Sequence, residues 1–137
     1  MARKKEPTDK FSRRLDYLFK RITHSTGVEY TYDEVQQGTG NAVTAQYVWR
    51  LRTGNAKNPS YMMIVALSEF FGVEPAYFFQ DEEKAKSQAE DVAYERLVKQ
   101  IRETHMEAIT MRASQLDETG REVLVGMLDY ILTMKSD

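Results

Sequence analysis

Residues 43–79 read VTAQYVWRLRTGNAKNPSYMMIVALSEFFGVEPAYFF and are the most informative part of the chain. Thr44 can cap a helix that buries Val48 and Leu51 on one face. Gly54 is expected to end that helix, because glycine adopts the left-handed conformation that a helix end often needs. An apolar helix and a short aromatic segment follow, so the spacing predicts helices throughout this stretch.

A second short helix is predicted immediately before this stretch, from Thr31 to about Gln37. Thr31 and Glu34 have the spacing of a capping box. Residues 38–41 form the turn that leads to the helix at residues 44–52. Two short helices joined by a tight glycine turn fit the unit that places its second helix in the major groove of DNA.

The order and spacing of these features resemble the XRE/Cro/C1-type helix-turn-helix family, which has the lambda-repressor-like fold. The matching features are Thr44, Val48, Leu51, Gly54, the Asn58-Pro59-Ser60 opening, the Ala66-Leu67 pair and the Gly72-Val73 turn. The loop at residues 23–30 and the turn at residues 38–41 are longer than that family usually has.

The EspR-type regulators of actinobacteria have both longer segments, and the chain is similar to them in three places. These are FSRRLDYLF at 11–19, QYVWRLR at 46–52 and AYFFQDEE at 76–83. The resemblance implies a gene regulator with some nucleoid-organising character and a helical C-terminal dimerisation domain. Past residue 83 the resemblance lies only in the helix pattern.

The predicted fold class is all-α, with a five-helix lambda-repressor-like helix-turn-helix domain followed by a two-helix C-terminal dimerisation region. The expected segments are a disordered basic arm at 1–8, the DNA-binding domain at 9–81, a linker at 82–90 and the helical dimerisation domain at 91–137. The linker is expected because residues 81–90 are rich in charge and Gln and contain no large apolar residue.

Charge is divided unevenly along the chain, although the net charge is only −2. Residues 1–57 contain 11 Lys/Arg and 6 Asp/Glu, whereas residues 58–137 contain 8 and 15. A basic first half favours a polyanionic partner such as double-stranded DNA. The alternative is a solvated basic tail, because Arg3, Lys4 and Lys5 supply three of these positive charges.

Composition argues against an enzyme, a cofactor, a metal site and a membrane span. The chain has no cysteine, two histidines far apart and no glycine-rich phosphate loop. The charged pairs near residues 82–91 fit a solvated run better than a paired acid and base. No apolar run reaches eighteen residues, and the absence of cysteine fits a reducing cytoplasm. The resemblance to EspR-type regulators implies that the protein acts at the nucleoid.

Four residues are predicted to contact DNA bases because they lie at the first exposed positions of the recognition helix. They are Thr44, Ala45, Gln46 and Arg50. The residues predicted to contact the DNA backbone are Thr31, Tyr32, Tyr47, Arg52, Asn55, Lys57 and Asn58. A solvated helix face is the alternative for Gln46 and Arg50. Trp49 is expected to pack against the loop at residues 23–30, with the sugar-phosphate backbone as its alternative contact.

The last helix is predicted to form a homodimer through Leu124, Met127, Leu128 and Ile131, because its apolar arc is wider than one neighbouring helix can bury. The alternative is a compact monomer in which this arc packs onto the first domain. Two other functions stay open beside sequence-specific regulation. One is a nucleoid-associated architectural protein, and the other is a protein-interaction adaptor of antitoxin type.

Overall fold

All regular secondary structure in residues 9–135, the part that this computed structural model describes, is helical, which confirms the all-α prediction. The elements are α1 (Lys10–Arg21), α2 (Tyr32–Gly38), α3 (Ala45–Thr53), α4 (Tyr61–Phe71), a short 3₁₀ helix (Pro75–Phe79), α5 (Glu82–Ala113) and α6 (Glu118–Lys135). The predicted basic arm at residues 1–8 lies outside the described residues.

A side chain caps the start of each of the helices α1 to α4, and the caps at Thr31 and Thr44 confirm the prediction. Asp9, Thr31, Thr44 and Ser60 each accept a hydrogen bond from the backbone N–H three residues later. Thr31 and Glu34 form both halves of the predicted capping box. The left-handed conformation expected of Gly54 is present, with φ of 81°.

Chain contacts divide the protein into two compact units, with the boundary between Leu97 and Val98. The core of the first unit joins α1, α3, α4 and the 3₁₀ helix. Its largest fully buried side chains include Phe19, Leu51, Leu67, Phe71, Tyr77 and Phe78. The Tyr77 hydroxyl donates to the Arg14 carbonyl at 2.7 Å, and this bond ties the 3₁₀ helix to α1.

Residues 82–90 form the first part of α5, although the sequence predicts a linker there. Ala85 and Ala89 are buried in the core of the first unit. The Tyr17 hydroxyl donates to Oε1 of Glu90 at 2.9 Å, which holds this part of α5 against α1. Alanines four residues apart allow a helix to pack closely while giving almost no hydrophobic signal in the sequence.

The second unit consists of the last part of α5 together with α6. Asp117 accepts a hydrogen bond from the Gly120 N–H at 2.8 Å and so caps α6. The Arg121 guanidinium donates to the carbonyls of Ala113 and Ser114, which fixes the turn between the two helices. An apolar groove between them has a volume of about 450 Å³.

Candidate nucleic-acid interface

The turn between α2 and α3 is fixed by one side chain, Gln36 of α2. Its Oε1 accepts a hydrogen bond from the backbone N–H of Ala45 at 2.9 Å, at the first turn of α3. Its Nε2 donates to Oδ1 of Asn41 in the turn at 3.3 Å. Gly40 and Asn41 both have positive φ, which lets the chain reverse within a few residues. The start of α3 is therefore held in a defined position against α2.

The four residues predicted to contact bases lie together at the start of α3 and along its outward face. Thr44, Gln46 and Arg50 are exposed, and Ala45 is half-buried. Val48 and Leu51 are fully buried on the opposite side of the helix. In residues 9–135 neither the Gln46 amide nor the Arg50 guanidinium has a hydrogen-bond or ion-pair partner. Both side chains are therefore available to a ligand.

Three of the predicted backbone contacts lie in the segment that follows α3. Asn55, Lys57 and Asn58 are exposed, and Asn58 has a positive φ of 59°. The Asn55 amide donates to Oγ1 of Thr53 at 2.8 Å. Lys57 has no ion-pair or hydrogen-bond partner among the described residues, so its charge is free to meet an anion.

The other predicted backbone contacts are less available. The Thr31 N–H donates to Oε1 of Glu34 at 2.9 Å, and its hydroxyl accepts from the Glu34 N–H at 3.1 Å. Tyr32 and Tyr47 are half-buried and pack against the core. The capping box thus uses two of the polar groups that the sequence assigns to phosphate.

Arg52 differs most from its predicted role, because its guanidinium is directed to protein carboxylates. Its side chain is only 15% exposed. Nε donates to Oδ1 of Asp16 on α1 at 2.9 Å, and a second nitrogen lies 2.8 Å from Oε1 of Glu29. The guanidinium also stacks on the Phe19 ring, 4.5 Å from its centre. Position 52 is one turn after the buried Val48, so it belongs to the inner side of α3.

Arg52 and its carboxylate partners stabilise each other's charged forms. Burial raises the pKa of Asp16, but hydrogen bonds from Lys20 and Arg52 outweigh it and hold that pKa below its usual value. Burial lowers the pKa of Arg52, and hydrogen bonds to Glu29 and Asp16 reverse this and raise it. Both partners are therefore ionised across the physiological pH range, which fits a structural ion pair.

Trp49 is 45% exposed. It lines a shallow groove together with Thr31, Tyr32, Asp33, Ala45 and Gln46. The sequence favours packing of Trp49 against the loop at residues 23–30, whereas the groove that it lines is formed by α3 and the start of α2.

The long loop at residues 23–30 contacts other parts of the first unit. It supplies Glu29 to Arg52, and the Tyr30 ring packs edge-on against Phe70 with centres 5.2 Å apart. His24 Nε2 lies 2.7 Å from Oε2 of Glu34. The loop is thus fastened to α2, α3 and α4 by separate contacts.

Sequence reasoning misses Gln36, Asp16 and Glu29 as residues that position α3. Each acts across the chain: Gln36 bonds nine residues ahead, and Asp16 lies 36 residues from Arg52. Local spacing gives no signal for such pairs. A polar Arg on the inner side of α3 is the one available hint, because a buried guanidinium needs carboxylate partners.

Residues 9–135 contain no cluster of three or more His, Cys, Asp or Glu side chains suited to a metal ion. No helix within that range is both long and apolar enough to cross a membrane.

Comparison with known proteins gives a distant relative that covers nearly the whole chain. No family model matches the sequence. The chain is 29% identical over 130 residues to the nucleoid-associated protein EspR of Mycobacterium tuberculosis, in strain H37Rv and equally in strain CDC 1551. The aligned region covers 88% of this chain and 91% of EspR. The chain is therefore similar to a nucleoid-associated protein over both of its compact units.

Proposed function

We propose that this chain is a sequence-specific DNA-binding transcriptional regulator that acts as a dimer at the nucleoid. Its helix-turn-helix would consist of α2, the turn at residues 38–41 and α3, with residues 44–52 reading the major groove. The observation that supports this best is the unpaired, exposed Gln46 and Arg50 on a helix whose inner face is fully packed. The similarity to a nucleoid-associated protein supports the same partner.

Base readout would use the exposed start and outward face of α3. A Gln amide can bond the edge of adenine with two hydrogen bonds, and an Arg guanidinium can do the same with guanine. We assign these contacts to Gln46 and Arg50. Thr44 can bond either kind of base edge, and the Ala45 methyl can contact a thymine methyl.

Backbone contacts would fix the register of α3 in the groove. Lys57 is the strongest candidate, because its ammonium has no partner within residues 9–135. The others are Thr31, Tyr32, Tyr47, Asn55 and Asn58. We assign Arg52 instead to the positioning of α3, because its donors already meet Asp16 and Glu29.

Dimerisation would use α6. Leu124 and Leu128 are half-buried and line the groove toward α5, whereas Met127 and Ile131 are 58% and 56% exposed. A second, outward apolar stripe is thus left on α6, as a symmetric helix contact requires. Two copies would double the DNA contacts and set the spacing of half-sites.

An architectural role is the second candidate, and the description of EspR as nucleoid-associated favours it. The two roles differ in selectivity. A regulator binds its preferred site far more tightly than random DNA, typically by about 10³-fold or more. An architectural protein shows little difference between the two.

The test is to select a preferred duplex from a random library with the intact protein and then to measure its affinity by fluorescence anisotropy at several salt concentrations. We expect a steep salt dependence and a large preference for the selected duplex over a scrambled one. A steep salt dependence without preference would indicate the architectural role. Absence of binding at low salt would overturn DNA binding and leave the adaptor.

A further inference from the structure

Trp49 is the only tryptophan of the chain, and it lies beside the residues that we assign to base readout. On α3 it comes one turn after Ala45 and three residues after Gln46. Nearly half of its surface is exposed. The indole N–H has no hydrogen-bond partner anywhere in residues 9–135. A large apolar ring with a free donor contributes little to the core and is well suited to an interface.

The groove that Trp49 lines has a volume of about 380 Å³, enough for part of a nucleotide, and is open to solvent. One of its walls is the start of α2 with Thr31 and Tyr32. The other wall is α3 with Ala45 and Gln46. In the proposed complex, the first wall faces the DNA backbone and the second faces the bases. A group in this groove would therefore lie at the edge of the major groove.

Charge in the groove restricts what can occupy it. Asp33 is exposed and contributes to the lining, so its carboxylate disfavours a phosphate inside the groove. Most of the groove surface is apolar, and Trp49 and Ala45 are among the residues that line it. A deoxyribose is neutral and largely apolar, and it matches this surface better than a phosphate does.

We infer that Trp49 is a DNA-contacting residue that holds a deoxyribose in this groove and donates its indole N–H to a backbone oxygen at the rim. The inference rests on the proposed DNA-binding function. Since a sugar is common to every nucleotide, the contact adds affinity for all duplexes and no selectivity. Trp49 differs in this from Gln46 and Arg50, which read particular bases.

The single tryptophan makes a direct test possible, because all indole fluorescence comes from residue 49. The intact protein is titrated with a dye-labelled duplex, and anisotropy of the dye reports binding independently of Trp49. We expect the indole emission to change on binding and acrylamide quenching of Trp49 to fall at least about twofold. Binding that leaves both signals unchanged would overturn the Trp49 contact while the proposed function stands. Absence of binding would overturn both.

Affinities of variants complete the test. Trp49→Ala should bind selected and scrambled duplexes about thirtyfold more weakly, which corresponds to the loss of about 2 kcal/mol at which an interface residue counts as a hot spot. Trp49→Phe keeps an apolar ring and should lose about threefold. Val28→Ala is the matched control, because Val28 is an exposed apolar residue outside the groove. A loss of affinity confined to the selected duplex would indicate a base contact and overturn the sugar assignment. Unchanged affinity of both Trp49 variants would overturn the Trp49 contact itself.

Discussion

Arg52 donates from Nε to Oδ1 of Asp16 at 2.9 Å, and this contact joins the last turn of α3 to the middle of α1. Glu29 binds the same guanidinium from the loop that precedes α2. A mostly buried side chain thus connects three segments of the first unit. The direction in which α3 presents its outward face depends on this junction.

Replacement of Arg52 should destabilise the fold. Arg52→Ala would remove the guanidinium that Asp16 and Glu29 share and leave Asp16 paired only with the exposed Lys20. We expect a loss of about 2–4 kcal/mol in the free energy of unfolding. Urea denaturation measures this loss. Arg50→Ala is the matched control on the same helix and should change stability by less than about 0.5 kcal/mol, because Arg50 is exposed. Wild-type stability of Arg52→Ala with weakened binding to every duplex would instead make Arg52 a phosphate ligand.

The Asp16 ion pair should make stability fall in acid. The pKa of Asp16 is lower in the folded protein than in the unfolded chain, so its contribution is complete at neutral pH. That contribution is lost as the pH falls below about 4 toward the folded-state pKa. Asp16→Asn removes it at every pH. The stability difference between wild type and Asp16→Asn should therefore be constant from pH 7 to pH 5 and shrink at pH 3. A difference that grows in acid would contradict the assignment.

Arg50 and Lys57 should have separable effects on DNA binding. Arg50→Ala should lose about 1–3 kcal/mol at the preferred site and relax selectivity at one base pair. Lys57→Ala should weaken all duplexes about equally and reduce the salt slope by about one. Competition binding with single-base variants of the selected site measures affinity and selectivity, and its repetition at several salt concentrations gives the salt slope. An unchanged ratio between preferred and random DNA in Arg50→Ala would remove Arg50 from base readout.

The second unit should provide the dimer contact. A chain that ends at Leu97 keeps Ala85 and Ala89 in its core, and we expect it to stay folded, to be monomeric and to bind DNA more weakly. A chain that ends at Asp81 loses both alanines and should be less stable than the longer fragment. Circular dichroism and light scattering at tens of micromolar distinguish these outcomes.

A pair of substitutions in the intact chain serves as the control for truncation. Met127→Glu with Ile131→Glu changes only exposed positions of α6, so the monomer fold should persist while the dimer dissociates. A dimeric fragment ending at Leu97, or an intact wild-type chain that is monomeric at tens of micromolar, would rule out α6 as the dimer contact.

Much of the first unit could be predicted from the sequence because local rules determine it. The Thr31 and Thr44 caps, the buried Val48 and Leu51 and the left-handed Gly54 all follow from spacing within one or two turns. The exposure of Gln46 and Arg50 follows from the same helical period.

The parts that could not be predicted depend on contacts between distant segments. Residues 82–90 look like a linker because their two buried residues are alanines, and only the packing against α1 shows their role. Arg52 looks like a phosphate ligand until Asp16 and Glu29 are placed beside it. The groove around Trp49 forms because the start of α2 lies beside α3. No local sequence pattern encodes that placement.

The two-sided character of α3 has a consequence for how its sequence can vary. Its inner side is constrained by packing at Val48 and Leu51 and by the ion pairs of Arg52, while Gln36 fixes its start. On its outer side, the exposed Gln46 and Arg50 make no side-chain hydrogen bond or ion pair within residues 9–135. Saturation mutagenesis scored for folding alone should therefore show broad tolerance at the outer positions. New sequence preferences could be acquired there without compensating changes elsewhere in the domain.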